Sequence, residues 1–192
     1  MAEASSSKMA VLSVLVDNEA GVLARVIGLF SGRGYNIESL TVSEVDAKRH
    51  LSRITISTIG SERVINQITN QLERLVPVHK VFHMTPTPHL SDATIARDAV
   101  LVKVFAQKDT MDDVLTIART YSADLIAQTH ALCVYLFVST PDKVECFIKD
   151  LRLVARLDIC RSGIFALDNH SEDYVTRQLT AHTTDDVRAF SS

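Results

Sequence analysis

The sequence predicts an α+β protein of two ferredoxin-like (βαββαβ) domains, because the order strand, helix, strand, strand, helix, strand can be read twice along it. Three observations carry that prediction. Short β-branched runs alternate with stretches whose apolar residues recur at helical spacing. A proline-bearing polar stretch, residues 85–95 (TPTPHLSDATI), separates two halves of the same rhythm. The chain has 192 residues, 46% apolar and only 6% aromatic with no Trp, which suits two small domains with aliphatic cores.

The elements follow in order. Residues 1–8 are small and polar and are predicted disordered. AVLSVLV, residues 10–16, reads as a strand. From Gly21 the apolar residues fall at 22, 23, 26, 27 and 30, one face of a helix, with Gly34 placed as the left-handed residue just past its end. NIESLTVSEV (36–45) and HLSRITIST (50–58), joined by the charged turn Asp46–Arg49, form a hairpin. A second helix starts at Gly60-Ser61, carries the stripe Val64, Ile65, Ile68, Leu72, Leu75, and stops at Pro77; VHKVFHM is the fourth strand. This first domain is placed at residues 9–84 and the linker at 85–95.

The second domain is placed at 96–168. DAVLVKVFA is its first strand, and residues 110–121 form a helix with Thr110 as cap and acids in its first turn. ADLIAQT and ALCVYLFVS read as two strands, Pro141 opens the last helix, and ARLDICRSGIFAL closes as a strand with an extension. Residues 169–192 are polar without a sustained stripe and are predicted to form a flexible tail.

Composition narrows the function. A net charge of −3 with dispersed charges argues against a general nucleic-acid binder. The central strands SLTVSEV and LSRITIS also lack the aromatics that an RNA-recognition motif stacks on bases. Cys133, Cys146 and Cys160 are widely spaced in apolar contexts, with no CxxC, and are expected to be buried thiols in a reducing compartment. MAEASSSK has no signal or transit pattern, and the longest apolar run, 131–138, is too short to span a bilayer, so a cytoplasmic protein is expected. His79 and His83 share a predicted strand, about 13 Å apart at about 3.3 Å per residue, and with His89 they complete no metal-ligand set. No GxSxG or comparable signature supports catalysis by this chain. Glu62, Arg63, Glu73 and Arg74 read as a solvated helix face.

The informative stretch is residues 15–40, LVDNEAGVLARVIGLFSGRGYNIESL, which holds four of the six glycines. The first amides of a helix have no intrahelical partner and carry the positive end of its dipole, and Gly21 lets an external group approach them. A carboxylate or phosphate suits that position. The glycines do not form a phosphate loop or a dinucleotide turn, since Gly32-Arg33-Gly34 lies at the wrong end of the helix. A small carboxylate therefore fits better. Asn18 and Asn36 offer both donors and acceptors, the combination an amino acid requires, among aliphatic neighbours that suit an apolar side chain. The alternative is that Asn18 only caps the helix and the glycines only turn the chain.

LVDNEAGVLARVIGLFSGRGYNIESLTV followed by LSRITI closely resembles the regulatory (small) subunit of acetohydroxyacid synthase, also called acetolactate synthase. The first unit resembles its ACT domain, an amino-acid-binding ferredoxin-like module. AVLVKV and CRSGI resemble segments of the family's C-terminal domain, so the likeness covers residues 9–168. The resemblance implies a non-catalytic chain that binds and activates the catalytic subunit and confers feedback inhibition by a branched-chain amino acid, usually valine. It implies that the catalytic partner carries thiamine diphosphate, Mg2+ and FAD, with no cofactor in this chain. It further implies a homodimer through ACT domains, with the effector where two such domains meet and contact positions Asn18, Gly21 and Asn36, joined by neighbouring Val22 and Ile37. The turn Asp46–Arg49 and the tail depart from the family's pattern. A free-standing amino-acid sensor regulating another enzyme or transcription is the competing class.

Overall fold

In the computed structural model, residues 8–84, 94–106, 109–129 and 132–168 are described. The expected disordered start as far as residue 7, the expected tail, His89 and most of the expected linker lie outside them, and Lys8 already belongs to a strand.

The first unit runs β1 (Lys8–Asp17), α1 (Val22–Ser31), β2 (Ser39–Asp46), β3 (Leu51–Gly60), α2 (Glu62–Leu72) and β4 (Val78–Met84). Its antiparallel sheet has the order β2-β3-β1-β4, with β2 and β4 at the edges. The second unit runs β5 (Thr94–Phe105), α3 (Met111–Tyr121), β6 (Asp124–Gln128), β7 (Cys133–Ser139), α4 (Pro141–Val154) and β8 (Arg156–Arg161), in sheet order β6-β7-β5-β8. Both units are βαββαβ. A final strand, β9 (Phe165–Asp168), pairs with the start of β5, so Thr94 and Ile95 belong to that strand and not to a linker.

Alternation sorts each strand's side chains onto two faces. Leu12, Val14 and Val16 of β1 and Ile54 and Ile56 of β3 meet Val22, Val26, Leu29 and Phe30 of α1 and Ile65, Ile68 and Leu72 of α2. Burying each such side chain fully contributes roughly 1.5–3 kcal/mol. The α1 stripe is narrower than its spacing predicts, since Leu23 and Ile27 stay about one-third exposed. Helix α2 stops at Leu72, one turn before the predicted end, and Leu75 packs against the core from the following turn. Val100, Val102, Val104, Tyr135, Phe147 and Leu151 build the second core.

Two local expectations need correction. Thr110 occupies the N-cap position of α3, but at φ −102°, ψ −1° its side chain makes no capping bond. Cys133 is buried, whereas Cys146 and Cys160 are exposed. Cys146 lies off the buried stripe of α4, and Cys160 lies on β8 opposite the exposed Leu101, away from the helices. His79 Nε2–H donates to the Asp17 carboxylate at 2.6 Å, so this histidine is satisfied by an ion-pair partner on β1. Glu62, Arg63, Glu73 and Arg74 are all exposed, as a solvated face requires.

The units touch through a third, small core of Val11, Met84, Ala96, Ile164 and Ala166, with Phe82 against it. Val11 projects from β1 on the face opposite the helices. The β5–β9 ribbon therefore covers one end of the first sheet's helix-free face.

Candidate functional site

Gly21 is the N-cap of α1 and adopts φ +88°, a left-handed conformation that a side chain disfavours. A Cβ built there meets nothing within 4 Å, so the backbone faces open space. The first i→i−4 bond of α1 is Arg25 N–H to Gly21 C=O at 3.0 Å. The amides of Leu23 and Ala24 lie ahead of it, and no acidic side chain occupies the first turn. This leaves a bare helix start with the dipole's positive end uncovered.

Asn18 does not cap that helix. Its Nδ2 donates to Glu44 Oε1 of β2 at 3.1 Å, and its backbone N–H donates to the His50 carbonyl at 2.6 Å. The reading of Asn18 as a mere cap is thereby removed. Val22 is buried as the first residue of the α1 stripe, so it shapes the floor beside Gly21.

Asn36 and Ile37 stand elsewhere. Gly34, at φ +68°, turns the chain out of α1, and Tyr35 N–H closes on the Phe30 carbonyl at 3.0 Å. Asn36 Nδ2 then donates to Glu38 Oε1 at 2.5 Å, and the Asn36 carbonyl accepts from Thr58 Oγ1 at 2.6 Å. Ile37 is half-buried against the first core. Eight positions separate His50, just before β3 and beside Asn18, from Thr58 of β3, beside Asn36. At about 3.3 Å per residue the two asparagines lie about 26 Å apart along the sheet. Within one chain, then, the five candidate residues fall into two separate groups: Asn18, Gly21 and Val22 at one end of the sheet, Asn36 and Ile37 at the other.

Both groups flank the same edge, and each is one half of the site if two copies meet there. β2 starts beside Asn36 and ends beside Asn18, and its outer side has no partner strand among the described residues. Helix α1 carries the chain from β1 over β3 to β2, so one flank of it overlooks that edge. The exposed apolar side chains there are Leu23 and Ile27 of α1 and Val42 and Val45 of β2, the last two 47% and 40% exposed. Sequence reasoning missed Glu44, because nothing local marks a carboxylate that answers an asparagine 26 residues away, and it missed Glu38, whose bond to Asn36 two residues earlier leaves no periodicity or motif. Among the described residues no group of His, Cys, Asp or Glu is arranged to hold a metal.

Comparison with known proteins decides the family. A family model described as the small-subunit-like ACT domain of this synthase matches residues 12–80, and one described as the small subunit of acetolactate synthase matches 97–170. The acetolactate synthase isozyme 3 small subunit of Salmonella typhimurium is 41% identical over 82% of this chain and 93% of its own length. The chain belongs to the acetolactate synthase small-subunit family. The isozyme 3 small subunit of Escherichia coli is 40% identical over the same shares, and a probable small subunit of Archaeoglobus fulgidus is 32% identical over 81% of this chain and 94% of its own. The crystal structure of the Thermotoga maritima small subunit superposes with a TM-score of 0.73 at 30% identity, covering 86% of this chain and 99% of that one. Family membership makes the first unit an ACT domain and the chain a non-catalytic regulatory subunit whose partner is a catalytic large subunit.

Proposed function

We propose that this chain binds and activates the catalytic subunit of acetolactate synthase and confers feedback inhibition by a branched-chain amino acid, valine first. The effector's carboxylate sits on the amides at the start of α1 of one copy, and Asn36 and Ile37 of a second copy close the site. The observation that carries this reading is the placement of the half-sites at opposite ends of one free edge strand. Two β2 strands pairing antiparallel across a two-fold axis bring the Gly21 end of each copy to the Asn36 end of the other. The exposed Leu23, Ile27, Val42 and Val45 supply the apolar surface such a contact buries.

The dipole contributes only about 0.3–1 kcal/mol at an exposed helix start, so direct amide and asparagine hydrogen bonds supply most of the affinity. Glu38 and Glu44, each already receiving an asparagine N–H, place acceptors where the effector's ammonium would lie. The catalytic partner carries thiamine diphosphate, Mg2+ and FAD, this chain holds no cofactor of its own, and the assembly is cytoplasmic. The test is reconstitution of the catalytic subunit with this chain under titration by valine, leucine and isoleucine. Activation by the chain and saturable inhibition by one of the three are expected; activation without inhibition by any of them contradicts the effector reading.

A further inference from the structure

The strip Asn36–Ser39 belongs to two places at once. At its start Asn36 faces the proposed effector. At its end Ser39 supplies a polar contact of the first unit with the second: Ile164 N–H donates to Ser39 Oγ at 3.1 Å, and Ser39 Oγ also shares a hydroxyl bond with the buried Ser57 at 2.5 Å. Between these points the strip is fastened to β3. Thr58 Oγ1 donates to the Asn36 carbonyl at 2.6 Å, and Glu38 N–H donates to the Ser57 carbonyl at 2.9 Å. Four residues so pinned move together with the end of β3 and not as a slack loop.

The facing part of the second unit is equally fixed. The carboxylate of Asp98, fully buried, accepts from Arg161 Nε at 3.0 Å and Nη2 and from Ser162 Oγ at 3.4 Å. Ser162 N–H donates to the Ala99 carbonyl at 2.9 Å, and Ala99 N–H returns to Ser162 Oγ at 3.1 Å. Between Ser162 and Ile164, Gly163 takes φ +81°. A Cβ on it would stand 3.0 Å from Ser39 Cβ, closer than side chains pack. Next to the shared apolar core, the second unit thus meets the first backbone-to-side-chain here, Gly163 and Ile164 against Ser39. Beside this contact a cleft of about 470 Å3 opens, walled by Glu38, Ser39 and Ile59 on one side and Arg161, Glu145 and Pro141 on the other. This contact, with no room for a Cβ at Gly163, ties the two walls of the cleft together at Ser39.

We propose that Ser39 and Gly163 form the joint through which occupancy of the effector site is passed to the second unit. The proposal rests on the effector reading above. Effector drawn against Asn36 pulls the strip, the strip carries Ser39, and Gly163 and Ile164 follow, opening or closing the cleft. Ser39 and Gly163 are positioning residues that touch no effector.

The experiment measures two quantities on Ser39→Ala and Gly163→Ala: valine affinity of the free chain by calorimetry, and valine inhibition of the holoenzyme reconstituted with the catalytic subunit. Ser39→Ala takes away the Ile164 acceptor without adding bulk, and Gly163→Ala wedges the contact. The free-chain Kd is expected to stay within about twofold of wild type in both, while a coupling of about 5–150-fold falls toward one and inhibition is lost. A purely structural role predicts no such split. Gly163→Ala carries a positive-φ penalty, and should it fail to fold, Ser39→Ala alone decides. Inhibition retained at wild-type valine concentrations overturns the joint, and so does parallel loss of binding and inhibition, which would place Ser39 in the effector site itself. A wild-type holoenzyme indifferent to valine overturns the effector reading and the joint with it.

Discussion

Gly21 combines a positive φ with empty space where its side chain would be, so an aspartate there pays a backbone cost of order 1 kcal/mol and aims a fixed carboxylate at the bare helix start. Gly21→Asp is expected to abolish valine inhibition while leaving activation of the catalytic subunit in place; inhibition retained at wild-type valine concentration contradicts the assignment. Asn36→Ala removes a side chain whose bond among the described residues is to Glu38, so the fold keeps its Thr58 and Ser57 bonds. Effector binding is expected to weaken about tenfold, one charge-assisted hydrogen bond's worth, at unchanged activation. Calorimetry beside a holoenzyme assay reads both numbers, and equal loss of both would mean misfolding. At this scale the sequence was readable where the backbone demanded a residue type. Gly21 and Gly34 both take the left-handed conformation that the helix ends require. It was unreadable where a partner came from a distant strand, as Glu44 does for Asn18.

The secondary elements followed from periodicity because each strand and helix buries one face, and a buried face leaves a pattern. Exceptions arise where a face is covered from outside its own unit. Val11 and Met84 read as ordinary strand residues, yet they face away from the helices into the core shared with Ala96 and Ile164. Cys146 and Cys160 sat among apolar residues in sequence but on outward faces in space. Leu23, Ile27, Val42 and Val45 matched an apolar pattern that one chain leaves uncovered, which the proposed edge pairing explains. Val42→Asp puts a charge in the middle of that edge strand, opposite its own symmetry copy or near it. Sedimentation is expected to show a shift from dimer to monomer, with the circular dichroism spectrum unchanged; an unaltered dimer would exclude β2 as the contact.

In the second unit, Tyr121 at the end of α3 donates to Asp150 Oδ2 of α4 at 2.6 Å. That hydrogen bond, with burial and the neighbouring carboxylate, pushes the phenol up to about 12. The folded value lies above the unfolded one of about 10, so the bond's contribution is whole below pH 10 and disappears as pH rises through 12. Tyr121→Phe should cost about 1 kcal/mol or less in urea unfolding at pH 8, and that difference should shrink toward zero between pH 10 and 12. A difference that persists at pH 12 would assign the effect to packing against Phe137 and Phe147 instead.

For the whole molecule, the two-unit architecture was legible because the same order of elements repeats, but the way the units meet was not. Nothing in CRSGI announces that its glycine faces Ser39, 124 positions earlier in the chain, or that β9 turns back onto β5. Cutting the chain between the units strips Ala96, Ile164 and Ala166 from Val11 and Met84. The isolated first unit is expected to keep valine binding yet melt several degrees lower than the intact chain, by roughly 4–8 °C per kcal/mol lost in a domain of this size. The same melting temperature in both would show that the shared core contributes nothing.

The proposed effector site takes its Gly21 end from one copy and its Asn36 end from the other, a demand that no single chain can meet. A chain carrying Gly21→Asp keeps its Asn36 end, and a chain carrying Asn36→Ala keeps its Gly21 end. Mixed after dissociation and reassembly, half of the dimers are expected to pair unlike chains, and each of these holds one undamaged site of two. Calorimetric titration of the equimolar mixture with valine should recover about one quarter of the wild-type binding capacity at wild-type affinity, where each variant alone shows weak binding or none. Recovery of no high-affinity sites from a mixture shown to contain mixed dimers would contradict a site built from two copies.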